Sequence, residues 1–264
     1  MTPTNLHRFR CLAILPAALL GLYATPPNAR EAPCTGESLG EGRVASVIDA
    51  RTFRMQDGRE VRLAAVEDSA SGLPAKPEQR AALESLVSGR ELTLHGARET
   101  DRYGRVVAFV RVQGQDAPVQ SRLIGDGHLL VTAAIDDQDC RAHLRTRETR
   151  ARAAKRGIWA EPSALKNAEM AGDILAVVGQ FVVAEGRVQS VREAGATLYI
   201  NFGRRWTQDF AVTISRRTIA AFEAAGIPLR SLERRKVRIR GWVEHRGGPR
   251  VHASSAGQIE MVGN

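Results

Sequence analysis

The feature that most limits what this chain can become is the run from Arg43 to Val66, RVASVIDARTFRMQDGREVRLAAV. It alternates apolar and polar side chains in short pieces broken by turn residues, which predicts strands at Arg43–Asp49, Thr52–Gln56 and Glu60–Val66. Asp57-Gly58 supplies the positive-φ chemistry of a tight hairpin. Strands this short need further partners before they can bury a face. Those partners follow: Pro77-Glu78 opens a helix through Ser88, stopped by Gly89, and strands at Glu91–Ala97 and Val106–Val112 flank the turn DRYGR. Helices are expected at Val119–Gly127 and at Asp139–Arg156, the latter ended by Gly157. Strand-strand-strand-helix-strand-strand is the order of a five-stranded OB-type barrel, here with helices added at its end.

The same order then recurs. After AEPSALKNAEMAGD, strands are expected at Phe181–Val191, Thr197–Phe202 and Phe210–Ile214, a helix at Arg216–Ala225, and strands at Lys236–Glu244 and Arg250–Ala253. The expected fold class is mainly β with helices (α+β), as two tandem OB-like five-stranded barrels. The chain divides into a signal peptide (1–29), an entry segment (30–42), a first barrel domain (43–160), a linker (161–176) and a second, basic barrel domain (177–264).

Residues 1–29 contain no acid, carry Arg8 and Arg10, and enclose the apolar run CLAILPAALLGLYA. That pattern reads as a secretory signal, too short for a comfortable membrane span, and implies a periplasmic or secreted protein with no stable membrane insertion after its removal. An uncleaved anchor is the alternative. Cys11 would leave with the signal, so the expected mature chain keeps Cys34 and Cys140, either bridged in an oxidising compartment or as two unpaired thiols. No CxxC spacing exists, and the six histidines show no metal-ligand spacing.

Charge is unevenly placed. Residues 30–170 hold 22 basic and 21 acidic side chains, and residues 171–264 hold 14 and 8. Most of the formal +9 therefore lies in the last third, where a surface attracting nucleic acid or another polyanion is expected. No feature names a protein partner.

VIDARTFRM, VRLAAVEDSA, DRYGRVVAFV, LIGDGHL and the closing RGIW, in that order and spacing, resemble the thermonuclease (micrococcal nuclease-like) family over about residues 43–160. GRVQSV, LYINFG, DFAVTI and RIRGWVE resemble the carboxy-terminal domain attached to such nucleases in some bacterial proteins. The resemblance implies an OB barrel with added helices that cleaves DNA and RNA phosphodiesters with calcium. Two carboxylates would hold the metal, a glutamate would activate water, and two arginines would grip the phosphate and its developing charge.

Carried over residue by residue, Arg62 and Arg105 are the two arginines, and Tyr103 falls on the substrate side. Asp49 and Glu67 are the remaining metal candidates. The family's Asp-Gly-Asp-Thr reads Asp49-Ala50-Arg51-Thr52, which puts a positive side chain where a metal carboxylate belongs. At 4 Å and an effective dielectric near 20, a unit charge pair is worth about 4 kcal/mol, so the inversion opposes a divalent ion on that scale. Ala70 stands at the position of the water-activating glutamate, whose loss costs a factor of about 10²–10⁴ unless Glu67 or Asp68 is recruited. Arg51, Arg62 and Arg105 are expected to line a cationic phosphate pocket; the alternative is that Arg51 pairs with Glu67 or Asp68 and fills it.

In the second barrel, Trp206 lies in the polar hairpin tip GRRWTQD beside Arg204 and Arg205, a stacking candidate set among cations. In RKVRIRGWV, Arg238 and Arg240 alternate with Val237 and Ile239, so they share a strand face, expected to be solvated or turned to a ligand. The arginine-rich helix at 140–157 is expected to be a solvated face, with Glu148 available for intrahelical pairing. Three functions remain open: a nucleic-acid-binding protein whose calcium-dependent cleavage is impaired or lost, an active sugar-nonspecific endonuclease with Ca²⁺ as cofactor, or an envelope protein whose OB surface meets another protein.

Overall fold

The first strand is longer than the alternation predicts. In the computed structural model, which describes Met1 and residues 34–68, 77–133, 135 and 137–263, β1 runs over Glu37–Asp49. Its first half carries no apolar alternation, because its backbone rather than its side chains makes the sheet, pairing Glu37–Arg43 with β5 (Glu91–Thr100). Gly40 and Gly42 hold φ of 104° and 146°, and Arg59 packs against Gly40 and donates to the Leu39 carbonyl at 2.9 Å. Residues 37–42 of the segment read as an entry are therefore part of the barrel. The expected signal, residues 1–29, lies outside the described residues.

The second half of β1 pairs with β2 (Thr52–Met55), β2 with β3 (Glu60–Leu63), and β3 runs parallel to β6 (Val106–Val112). β6 closes back on β5, giving a closed barrel of order β1-β2-β3-β6-β5. Phe53, Val61, Leu63, Leu92, Leu94 and Val110 fill it, in alternation with outward residues such as Arg62. A short β4 (Val66–Glu67) leaves the barrel and pairs with β7 (Leu130–Val131). Helix α1 (Pro77–Val87) lies between β4 and β5 in the chain and buries Leu83 and Val87 in the same core. Helices α2 (Val119–Gly125) and α3 (Gln138–Ala153) follow. Asp137 caps α3 by accepting from the Asp139 and Cys140 N–H groups at 2.9 and 3.0 Å. In that first turn Cys140 is joined to Cys34 by a disulfide, which ties the start of the described chain to α3.

The span read as a linker also forms structure. β8 (Leu165–Asn167) pairs in parallel with β9 (Phe181–Arg187), and α4 (Ala171–Leu175) buries Ile174. β10 (Ser190–Ala194) continues β9 after Val188-Gln189 and pairs with β11 (Thr197–Asn201), which pairs with β12 (Ala211–Ser215). Helix α5 (Ile219–Ala224) leads towards β13 (Lys236–His245). β12 runs parallel to β14 (Pro249–Ala253), β14 pairs with β13, and β13 pairs with β9 and with the terminal β15 (Ile259–Met261). Taking β9 and β10 as one bent strand, the pairing order repeats that of the first barrel, parallel contact included.

One expectation fails here. Arg238 and Arg240 do share a face of β13, but it is covered by the first half of the chain and is not turned to solvent or ligand. Arg240 is 1% exposed; its Nη2 lies 2.8 Å from Oε2 of the equally buried Glu148, and its Nη1 donates to the Val131 carbonyl at 2.8 Å. Glu148 therefore does not serve an intrahelical pair, and the face of α3 that carries it is not solvated. Arg238 bridges Glu185 and Glu260, both at 2.7 Å. Alternation tells which residues share a face; it does not tell what another element lays over that face. Leu130, Ala151, Ile158 and Trp159 continue the contact against Phe181 and Val183. Among the described residues no helix is long and apolar enough to cross a membrane.

Candidate phosphate-binding site

The turn between β1 and β2 is closed by Asp49, whose carboxylate accepts from the Arg51 N–H at 2.8 Å. This aims the Arg51 side chain away from solvent, under β4, where it is 7% exposed. Its Nη1 donates to the Val66 carbonyl at 3.1 Å and to the Glu67 carboxylate, and its Nε lies 3.3 Å from Asp68. Of the two arrangements open from sequence, the structure has the second: Arg51 is the internal partner of Glu67 and Asp68, and it lines no open phosphate pocket.

Burial pushes the Glu67 and Asp68 carboxyls above their usual range, against the pull of Arg51, with the neighbouring acids Asp68 and Asp49 respectively adding to the rise. A calcium ion needs several carboxylate or carbonyl oxygens converging on it. Here the Asp49 oxygen holds a backbone N–H and the Glu67 oxygen holds a guanidinium, so these residues do not fit the metal. Among the described residues no group of three or more His, Cys, Asp or Glu side chains is arranged to hold an ion.

The other two arginines come together with the first. Arg62 stands opposite Thr52 on the outer face of the β2–β3 hairpin and reaches its hydroxyl at 3.4 Å. Burial lowers its pKa, and repulsion from Arg51 and Arg105 lowers it further, which places all three cations within one electrostatic neighbourhood. Among the described residues Arg62 makes no ion pair. Arg105 is held within the turn that precedes β6. There Asp101 accepts from the Tyr103 and Arg105 N–H groups at 2.9 and 3.1 Å and pairs with the Arg105 guanidinium at 2.6 Å. Burial would raise the Asp101 carboxyl, yet these hydrogen bonds outweigh it and hold it below its ordinary range. Tyr103 is 66% exposed, with Arg105 and Arg102 over its ring at 5.0 and 4.8 Å. The arrangement offers a phosphate one half-buried guanidinium that makes no ion pair among the described residues, a second bridled by Asp101, and an exposed ring. Ala70 lies outside the described residues.

The model of the family described as "Staphylococcal nuclease homologue" matches residues 61–161. The chain carries a staphylococcal nuclease homologue domain. The match takes in Arg62, Glu67 and Arg105, and begins after Asp49 and Arg51. An uncharacterised 38.1 kDa protein of Capnoides sempervirens is 34% identical over 113 residues, 43% of this chain and 30% of that protein. The chain thus spans less than a third of that relative's length. The staphylococcal nuclease fold accounts for the closed barrel and the helices behind it.

Outside that domain, Arg204 and Trp206 share a cavity of about 840 Å³, while Arg205 turns to Asp209 at 3.7 Å. Sequence reasoning missed Arg187 and Arg192, which line the same cavity, and Glu148. The first two sit on β9 and β10 as ordinary outward strand residues. Glu148 was one acid in a basic helix, a composition that points to intrahelical pairing.

Proposed function

We propose that the protein is an exported member of the staphylococcal nuclease fold that binds nucleic acid or another phosphodiester ligand at Arg62, with Arg105 and Tyr103 beside it, and whose calcium-dependent cleavage is impaired or lost. The observation that carries this reading is the buried Arg51, fixed to Glu67 and beside Asp68. A tethered cation already neutralises the carboxylates that would otherwise recruit a metal, so a water-activating ion has neither charge nor room. Arg62, which makes no ion pair among the described residues, is placed to take a phosphate, the step that needs no metal. Export rests on the sequence of residues 1–29 and on the Cys34–Cys140 disulfide, which suits an oxidising compartment.

The active-endonuclease reading draws on one feature: among the described residues Asp68 Oδ1 is buried without a hydrogen-bond partner, and its carboxyl titrates above its usual range, as suits a proton acceptor. One plate of assays separates the two. Single-stranded DNA, RNA and duplex are each incubated with calcium, magnesium, manganese or no divalent ion, and both retention and release of acid-soluble nucleotides are measured. Binding without release, indifferent to the ion, is the expected result. Rapid release with any ion, abolished by Arg62→Ala, overturns it.

A further inference from the structure

The second barrel presents a cavity that the nuclease-family match does not reach. Its floor is the outer face of β10 and β11, where Tyr199 stands directly across from Arg192 while Leu198 and Ile200 on alternate positions fill the core. Its wall is the β11–β12 tip, which carries Trp206 at 76% exposure. An indole this open leaves its face available for stacking.

The tip is built to hold that indole still. Phe202 N–H donates to the Phe210 carbonyl at 3.0 Å, and the Gln208 and Asp209 N–H groups each donate to the Arg205 carbonyl at 2.8 Å. Asp209 in turn accepts from the Arg205 N–H at 2.8 Å and packs so closely on Gly203 that a Cβ there would overlap it. Opposite the tip, Arg187 donates to the Arg234 carbonyl at 2.7 Å, and Arg234 sits at φ 63°, a conformation that a non-glycine residue adopts only when its surroundings demand it. Arg192 and Arg204 make no ion pair among the described residues. Glu233 is the one carboxylate in the lining.

We infer that this cavity is a nucleotide subsite for single-stranded nucleic acid: one base stacks on Trp206 above Tyr199, and its flanking phosphates are held by Arg192 and Arg204. Stacking on a side chain needs a base face freed from its neighbours, which a single strand offers and a duplex does not. Aromatic faces bind bases, and free guanidiniums bind the phosphates between them. This inference stands independently of the phosphate site at Arg62.

The test uses the full chain, a twelve-residue oligothymidylate as probe, heparin as a polyanion without bases, and the variants Trp206→Ala, Trp206→Phe and Arg62→Ala. Trp206→Ala is expected to weaken the oligonucleotide about 5- to 150-fold, with heparin affinity changed less than about twofold. Trp206→Phe retains most of the affinity but abolishes the fluorescence quench seen on titration. Arg192→Ala and Arg204→Ala each lower the salt slope of log K by about 0.7. The inference is overturned if Trp206→Ala binds the oligonucleotide like the parent chain, or if oligonucleotide and heparin weaken equally. The quench in Arg62→Ala distinguishes the two sites. If the quench persists while other binding falls, both readings stand. If Arg62→Ala alone removes all binding and quenching, this one falls and the first remains.

Discussion

Arg240 of β13 and Glu148 of α3 meet at 2.8 Å with both side chains 1% exposed, joining the second sheet to the helices of the first barrel. Around them Arg145 and Arg240 approach Glu260 at 3.7 Å, and Arg238 completes the chain of charges. Burial, followed by repulsion from Arg240, pushes Arg145 down to about 10. Removing one member of so dry a pair leaves its partner charged and unsolvated. Glu148→Ala is expected to cost about 3–5 kcal/mol in urea denaturation. The double replacement Glu148→Leu with Arg240→Met is expected to recover most of it, because apolar pairs of similar volume often match buried ion pairs. A double variant as unstable as the single one would show that the hydrogen bonds to Val131, and not the charge pairing, hold this contact.

Acid and base act with opposite sign on the Glu148–Arg240 contact and on the Glu67–Asp68 cluster. Burial would raise Glu148, but the pull of Arg240 and the hydrogen bonds from it and from Val131 hold the carboxyl below its usual range. Its stabilisation is complete above the unfolded value of about 4.5 and is lost as pH falls through the lower folded value. Glu67 and Asp68 titrate above their usual values, so below those values they impose no penalty, and stability falls as pH rises through the interval above about 4. Comparing urea midpoints across that interval in the parent chain and in Glu148→Gln separates the two trends. A pH slope left unchanged by Glu67→Gln with Asp68→Asn would contradict the assignment for those two carboxyls.

Arg51→Asp is expected to convert the neutralised cluster into one with affinity for calcium. In the parent chain calcium is expected to leave the melting temperature unchanged. In the variant, calcium at about 100 times its dissociation constant would add about 2.7 kcal/mol to unfolding. Differential scanning fluorimetry with and without the ion reads this directly, and a calcium response in the parent chain would refute the assignment.

The disulfide spans a sequence separation of 106 residues. In the chain-entropy model a loop of that size contributes up to about 4–5 kcal/mol. Reduction, or Cys140→Ser, is expected to lower the urea midpoint by a corresponding amount while leaving the circular dichroism of the folded baseline intact.

Much of the fold was legible because alternation and Asp-Gly turns mark hairpins locally. Phe53, Val61 and Leu63 reveal their inward face without knowledge of the rest of the chain. The segment Glu37–Gly42 was not legible as strand, since glycines carry its pairing and no apolar period announces it. Residues 165–175 escaped for a similar reason: β8 is three residues at a sheet edge. In the site, the reversal of charge at Arg51 was plain, but its partner depended on which way β4 leaves the barrel, a tertiary fact. Arg238 and Arg240 were correctly placed on one face and wrongly exposed, because the cover over them comes from a helix about ninety residues earlier.

A guanidinium anchored to the main chain cannot diffuse away, be stripped by a sequestering agent or be swapped for a competing metal. Glu67 thus carries its counter-ion permanently, and the anion binding proposed for Arg62 is expected to be as firm in mineral-poor surroundings as in hard water.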